Sequence, residues 1–176
     1  TDTNKMTVEL SSLPPINLRK RLIYLTSYPH GCIEQTTSAA FPQLFVEDVT
    51  ELSNQESSKI QNNIKAAIDR IALFQTSLGG FAYWPGQSDD NYWGTNYAGH
   101  FLIEAKDKGY YVPDNLMNNW KKFQRQQARR WSRYGQYNDD LVQAYRLYTL
   151  AKAQAPERGA MNRLKEDNSL SLEAKW

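Results

Sequence analysis

The stretch Tyr28-Pro29-His30-Gly31-Cys32-Ile33-Glu34-Gln35-Thr36-Thr37-Ser38 carries the only cysteine of the chain. Pro29 and Gly31 end whatever helix precedes them, and the apolar pattern resumes at Ile33, so the thiol falls at the start of a new helix. There it meets free backbone N–H groups and the positive helix end, an environment that favours a thiolate. Gln35 lies three residues on, and a single helical turn brings its side-chain amide toward the sulfur. Attack of the thiolate on that amide would expel ammonia and leave an internal Cys–Gln thioester, an acyl group open to amines, hydroxyls and water. The residues alone leave a second reading open. Free cysteine is among the most often buried residue types and is usually inert, and glutamine at this spacing is common by chance.

Outward from this turn the pattern is helical. On its N-terminal side, Met6 to Leu10 reads as a short extended piece, Ser11 to Asn17 as a turn-rich linker around Pro14-Pro15, and Arg19 to Tyr28 as a helix with Leu22, Ile23 and Leu25 on one side. Residues 1–17 are therefore an extended linker and 18–176 one helical domain. On the C-terminal side a helix is expected from Ile33 toward Val49, kinked at Pro42. Ser53 and Glu56 form a capping box for a helix with Ile60, Ile64, Ala67, Ile68, Ile71 and Leu78 as its buried stripe, stopped by Gly79-Gly80. The loop Gly79 to Asp90, GGFAYWPGQSDD, leads to a helix over Tyr92 to Lys108. Pro113 and Asp114 open another, with Leu116, Trp120, Phe123 and Trp131 facing inward. Asn138 or Asp139 caps a helix through Lys152, with Leu141, Val142, Tyr145 and Tyr148 on its inner face, and Pro156 starts a short one carrying Met161 and Leu164. An aromatic, glycine-containing turn recurs weakly between helices, at Gln75 to Trp84 and Arg130 to Tyr137. The fold class is all-α: helical hairpins forming part of an α/α toroid, after a short extended segment. Trp176 falls inside an apolar run with no capping residue after it, so the toroid is expected to be incomplete at its C-terminus.

Composition narrows the function. With 176 residues, 5 Trp, 11 Tyr and 6 Phe, the chain has side chains enough for one core. Its mean hydropathy of −0.71 is low for a free-standing globule and is expected of a fragment, or of a domain with part of its surface buried against something else. A net charge of +2 gives no electrostatic case for a nucleic-acid partner or a membrane surface. No apolar run approaches the roughly 20 residues that cross a bilayer. One cysteine excludes an internal disulfide and a cysteine-rich zinc site, and nothing calls for a cofactor.

The segment Gly31-Cys32-Ile33-Glu34-Gln35 resembles the thioester motif of the α2-macroglobulin and complement family, whose usual form is Gly-Cys-Gly-Glu-Gln. Bacterial members commonly carry a bulky apolar residue at the middle position, which matches Ile33. Tyr28-Pro29 and Thr36-Thr37-Ser38 suit that branch, and the likeness continues in Gly79 to Gly86 and in Trp93-Gly94-Thr95-Asn96-Tyr97-Ala98. It covers about Leu18 to beyond Leu164. The resemblance implies an α/α toroid in which Cys32 and Gln35 are joined as the thioester. It implies cleavage of a bait region elsewhere in a longer protein by a target protease, a change of shape, and single-turnover covalent bonding to a lysine amine or a hydroxyl of that protease, which is inhibition rather than catalysis. The other domains of the parent macroglobulin are the remaining implied partners. A periplasmic or cell-envelope site, with a lipid anchor on another part of the parent chain, is implied as well. Some complement proteins use a downstream histidine to favour hydroxyl targets. Neither His30 nor His100 matches that position, so amines are the expected targets.

Other residues compete for attention. His30 and Glu34, beside the motif, are candidates for proton transfer, against an exposed turn residue and a first-turn acid that suits the helix end. His100 reads as a satisfied mid-helix histidine. Asp89-Asp90 and Asp139-Asp140 are acid pairs that a toroid hydrolase or lyase would use, yet each falls where a helix cap is expected. The run Lys121, Lys122, Arg125, Arg129, Arg130 reads as a solvated face. Phe81, Tyr83 and Trp84 read as a plug of the toroid end. No pattern supports a Ser-His-Asp triad. A plain interaction module with an inert Cys32 is the other alternative.

Overall fold

The computed structural model describes residues 27–133 and 139–175. The expected strand at Met6–Leu10, the linker, the helix from Arg19 up to residue 26, the second aromatic turn beyond Arg133, and Trp176 lie outside the described residues. Within them the fold is helical, and β-type pairing is limited to two isolated bridges, Gln75 to Phe81 and Ala82 to Asp90.

The first expected helix is three pieces: α1 (Ile33–Ala40), a 3-10 turn (Phe41–Phe45) and α2 (Val46–Val49). Pro42 stands in the first turn of the 3-10 segment. It has no N–H to continue the α1 ladder, so the helix changes type there instead of bending. The next helix, α3 (Asn54–Ala72), begins at the expected capping box: the Ser53 N–H donates to Glu56 Oε2 at 2.8 Å and the Glu56 N–H to Ser53 Oγ at 3.3 Å. Ile60, Ile64, Ala67, Ile68 and Ile71 are all buried. Each isoleucine contributes about 1.5–3 kcal/mol against about 1 kcal/mol for the cap, so packing and not capping holds this helix.

Leu78 does not join that stripe. The helix ends at Ala72, Leu78 is exposed, and Phe74 fills the core in its place. The chain turns back because Thr76 N–H donates to the Gly80 carbonyl at 3.0 Å and Ala82 N–H to Phe74 O at 2.9 Å. The Asp89-Asp90 pair does not cap α4 (Tyr92–Asp107) either. Asn91 does, accepting from Gly94 N–H at 2.6 Å, while Asp90 accepts from the Thr76 hydroxyl at 2.7 Å.

Three longer or medium helices complete the order: α5 (Asp114–Arg130), α6 (Asp140–Lys152) and α7 (Arg158–Lys165), then the single turn α8 (Leu172–Lys175). Asp139 caps α6 through Val142 N–H at 3.1 Å. Ile33, Ile64, Ile68, Phe101, Leu102 and Trp120 knit α1, α3, α4 and α5 into one core; Leu147, Leu150, Ala160 and Leu164 join α6 and α7 in a second.

The inner face of α6 differs from the sequence expectation. Tyr148 is 52% exposed, and Leu141, Val142 and Tyr145 are only partly covered, whereas Gln143, Arg146, Leu147 and Leu150 are buried. The true stripe includes the polar Gln143 and Arg146, which a hydrophobic count discards. They are tolerated because they satisfy one another. Arg146 donates through Nε to Gln124 Oε1 at 3.1 Å and through Nη1 to Gln143 Oε1 at 2.5 Å. Gln124 donates in turn to Asn96 Oδ1 at 2.5 Å. The guanidinium lies 5.5 Å from the Tyr92 ring centroid. Burial lowers its pKa to about 10, so it stays charged at neutral pH. Trp131, expected inward, is only partly covered, and its indole Nε1 is buried without a hydrogen-bond partner.

Candidate functional site

Gly31 has φ +91°, a backbone conformation that L side chains avoid, and a Cβ there would overlap Oε1 of Gln35. That turn delivers Cys32 to the position just before α1 with extended backbone, φ −71° and ψ 175°. Its side chain faces the Gln35 N–H, and its own N–H donates to Gln35 Oε1 at 3.1 Å. Cys32 and Gln35 thus stand in the two places of a capping box, where Ser or Thr and Glu or Gln are usual. The same arrangement that starts the helix keeps the Gln35 side-chain amide bonded to the Cys32 backbone. Cys32 is 3% exposed and Gln35 is exposed.

Residues distant in sequence brace this turn. Arg70 of α3 donates through Nη2 to the Gly31 carbonyl at 2.9 Å and through Nε to Thr36 Oγ1 at 3.2 Å, with its guanidinium 5.7 Å from the Phe74 ring centroid. Thr37 returns its hydroxyl to the Ile33 carbonyl at 2.7 Å. From the aromatic loop, the Tyr83 carbonyl accepts from Ile33 N–H at 3.2 Å. Interaction with the Cys32 side chain raises the Tyr83 phenol's pKa above its ordinary value, and the Glu34 charge adds to the effect. Ile33 packs under the turn so closely that a Cβ on Gly94 would lie 2.6 Å from its Cγ2.

The structure brings Cys32 and Gln35 together. Glu34 stays in the first turn of α1, partly exposed. His30 is exposed, and its Nδ1 lies 3.1 Å from the Tyr28 carbonyl. Sequence reasoning missed Arg70 and the second role of Tyr83. Nothing local to Arg70 marks it, while Tyr83 was assigned with Phe81 and Trp84 to a plug. Phe81 is buried as a plug residue would be; Tyr83 and Trp84 are half-exposed and meet edge to face at 5.6 Å.

The other candidates have structural partners. Asp140 binds Arg133 at 2.9 Å and the Ser171 N–H at 2.7 Å, and these bonds hold its carboxyl below the ordinary range despite burial. Burial pushes the Asp90 carboxyl up, against its Thr76 bond. Asp139 caps α6 through the Val142 N–H, so Asp90, Asp139 and Asp140 each hold a structural partner, while Asp89 is exposed. His100 bonds the Tyr145 hydroxyl at 3.0 Å and Glu104 at 3.2 Å, and stacks edgewise on Phe41 at 5.0 Å. In the basic run, Arg125 and Arg129 share Glu157. Among the described residues, no cluster of three or more His, Cys, Asp or Glu is arranged for a metal, and no helix is long and apolar enough to cross a membrane.

This helical domain, with a cysteine and a glutamine paired across one turn, has known counterparts. The family model for the A-macroglobulin TED domain matches residues 6–156, and the chain belongs to that family. It is 31% identical to alpha-2-macroglobulin of Escherichia coli K12 over 89% of its length, spanning 10% of that protein. It superposes on the crystal structure of Salmonella alpha-2-macroglobulin reacted with methylamine with a TM-score of 0.71, at 30% identity, covering 88% of this chain and 11% of that one. Trypsin-activated alpha-2-macroglobulin from E. coli gives 0.67 at 28% identity, covering 80% and 10%. The chain therefore spans about a tenth of the length of these relatives.

Proposed function

We propose that Cys32 and Gln35 form an internal thioester, and that this domain supplies the covalent-capture chemistry of a bacterial macroglobulin that inhibits proteases. The observation that carries this reading is the Cys32 N–H bond to Gln35 Oε1. It fixes the Gln35 side-chain amide to the backbone of Cys32, the residue that carries the sulfur. In closure, the sulfur adds to Cδ and the carbonyl electron pair moves onto Oε1. The tetrahedral adduct then expels the amide nitrogen as ammonia, which takes up the thiol proton. In capture, a lysine amine adds to the same carbon, the C–S bond breaks, and the sulfur leaves with a proton. We assign the Tyr83 hydroxyl to relay that proton, giving its own to the sulfur and taking up the one the amine loses. Each domain reacts once, because the product is a stable amide.

Methylamine is the smallest probe of this chemistry, and the Salmonella relative was reacted with it. A protease that cleaves the parent protein is the proposed trigger, in keeping with the trypsin-activated state of the E. coli relative. The remaining domains of that parent are the proposed shield and bait. We assign the protein to the periplasm or cell envelope, anchored if at all through other parts of the parent chain. Glu34 and His30 have at most an assisting role.

The test is intact mass. Freshly purified protein should weigh less than its sequence by one ammonia. Methylamine should add to it with appearance of one thiol, titrated after denaturation. Cys32→Ala should show neither change. A full sequence mass with no methylamine uptake in the native protein sinks the proposal.

A further inference from the structure

The Gly31 carbonyl and the Cys32 N–H belong to one peptide unit. Its oxygen accepts from Arg70 Nη2 at 2.9 Å, and its N–H donates to Gln35 Oε1 at 3.1 Å. We infer that Arg70 activates the Gln35 carbonyl through this peptide, making the Cys32 N–H an oxyanion donor charged from behind by a guanidinium. The inference rests on the thioester reading above and adds a positioning residue to it.

The physical argument is polarisation. A donor to an amide oxygen draws electron density toward it and leaves the N–H a stronger donor, so bonds in series strengthen one another. A charged donor does this more than a neutral one. The Oε1 end of the chain is where negative charge develops when sulfur or an amine adds to Cδ, and a donor fixed there before reaction needs no reorganisation. The geometry keeps all three groups in line. Gly31 holds the peptide in a conformation that L residues avoid. Thr36 Oγ1 accepts from Arg70 Nε at 3.2 Å, and the Phe74 ring supports the guanidinium plane. The two bonds use the guanidinium as a fork, which a lysine ammonium does not reproduce. Arg70 never touches the reacting atoms. It acts on closure and on capture alike, because both pass through a tetrahedral adduct with its charge on the same oxygen.

The chain has one cysteine, so labelling with 15N-cysteine gives a single amide resonance that reports the Cys32 N–H bond. The experiment compares the wild type with Arg70→Met and Arg70→Lys. In Arg70→Met the amide proton should move upfield, and the second-order rate with methylamine should fall about tenfold, less than the 10²–10³ that follows loss of an oxyanion donor itself. Arg70→Lys should fall between in both readouts. A folded Arg70→Met that shifts the resonance and never closes the thioester is the stronger form of the same result. Wild-type resonance and rate in both variants overturn the inference. A slowed rate with an unmoved resonance also overturns it, because packing alone would do that. If Arg70→Met fails to fold, Arg70→Lys decides by the same two readouts. Absence of methylamine uptake in the wild type sinks the thioester reading, whereas a reactive wild type matched by both variants sinks only the role of Arg70.

Discussion

Gly99 and Trp120 interlock across the α4–α5 contact. The indole lies so close to the Gly99 Cα that any Cβ would overlap its ring, and the indole N–H donates to the Thr95 carbonyl at 2.9 Å. Trp120 is fully buried. One missing methyl group on α4 thus makes room for the largest side chain in the core, while the buried Thr95 carbonyl one turn back satisfies its single polar atom.

Gly99→Ala should therefore cost about 1–3 kcal/mol, the usual cost of overpacking. A lowered urea midpoint with an unchanged slope is the expected outcome. A wild-type midpoint would mean that α4 and α5 slide apart at no cost.

Gly31→Ala should separate chemistry from stability. The substitution is strained by the positive φ and pushes the Gln35 side chain away from Cys32. The global fold, held by α3 to α5, should lose only about 1–3 kcal/mol. Methylamine uptake should vanish, and the mass should stay at the full sequence value. Normal uptake in a folded Gly31→Ala would show that the close Gly31–Gln35 contact is dispensable.

Glu157 gives a pH-dependent brace. Hydrogen bonds from Arg129 and Arg125 hold its carboxyl below the ordinary glutamate range. A depressed carboxyl stabilises the fold above its unfolded pKa, and that contribution disappears as pH falls through the folded value. Glu157→Gln should cost about 1–2 kcal/mol at neutral pH, and the gap from wild type should close in acid. Equal acid sensitivity of the two proteins would rule this brace out. Urea titrations across the acid range make the comparison.

His100 acts with the same sign for a different reason. Burial lowers its pKa, while Glu104 opposes that fall and Lys152 adds to it. The folded state therefore prefers the neutral ring, and stability should decline as pH drops through the ordinary imidazole value. The decline should be absent in His100→Gln. A slope retained in that variant would place the titrating group elsewhere.

The helices were legible where a local signal sufficed: the Ser53–Glu56 box, the Ile60–Ile71 stripe and the Asp139 cap each lie within one segment. α6 was misread because its buried face is paid for by hydrogen bonds among Arg146, Gln143, Gln124 and Asn96, which an apolar count treats as solvent-facing. Leu78 was misplaced because the spacing of α3 continues in sequence after the chain has already turned at Leu73. The spacing of Cys32 and Gln35 sets them one turn apart but leaves an inert thiol equally open, and only the motif's resemblance singles the pair out; that the two also satisfy a capping pattern is seen in the structure. Arg70 was invisible, since its partner Gly31 lies 39 residues away and no periodicity links them.

Cys32 sits inside the core while Gln35 faces outward. On the thioester reading proposed above, the sulfur left after acyl transfer would stay in this buried position. A thiol in that place is out of reach of other disulfides, for exchange requires direct approach to the sulfur. In an oxidising compartment, the domain would discharge without becoming a site for mixed disulfides, and each spent copy would keep a reduced cysteine as a record of its one reaction.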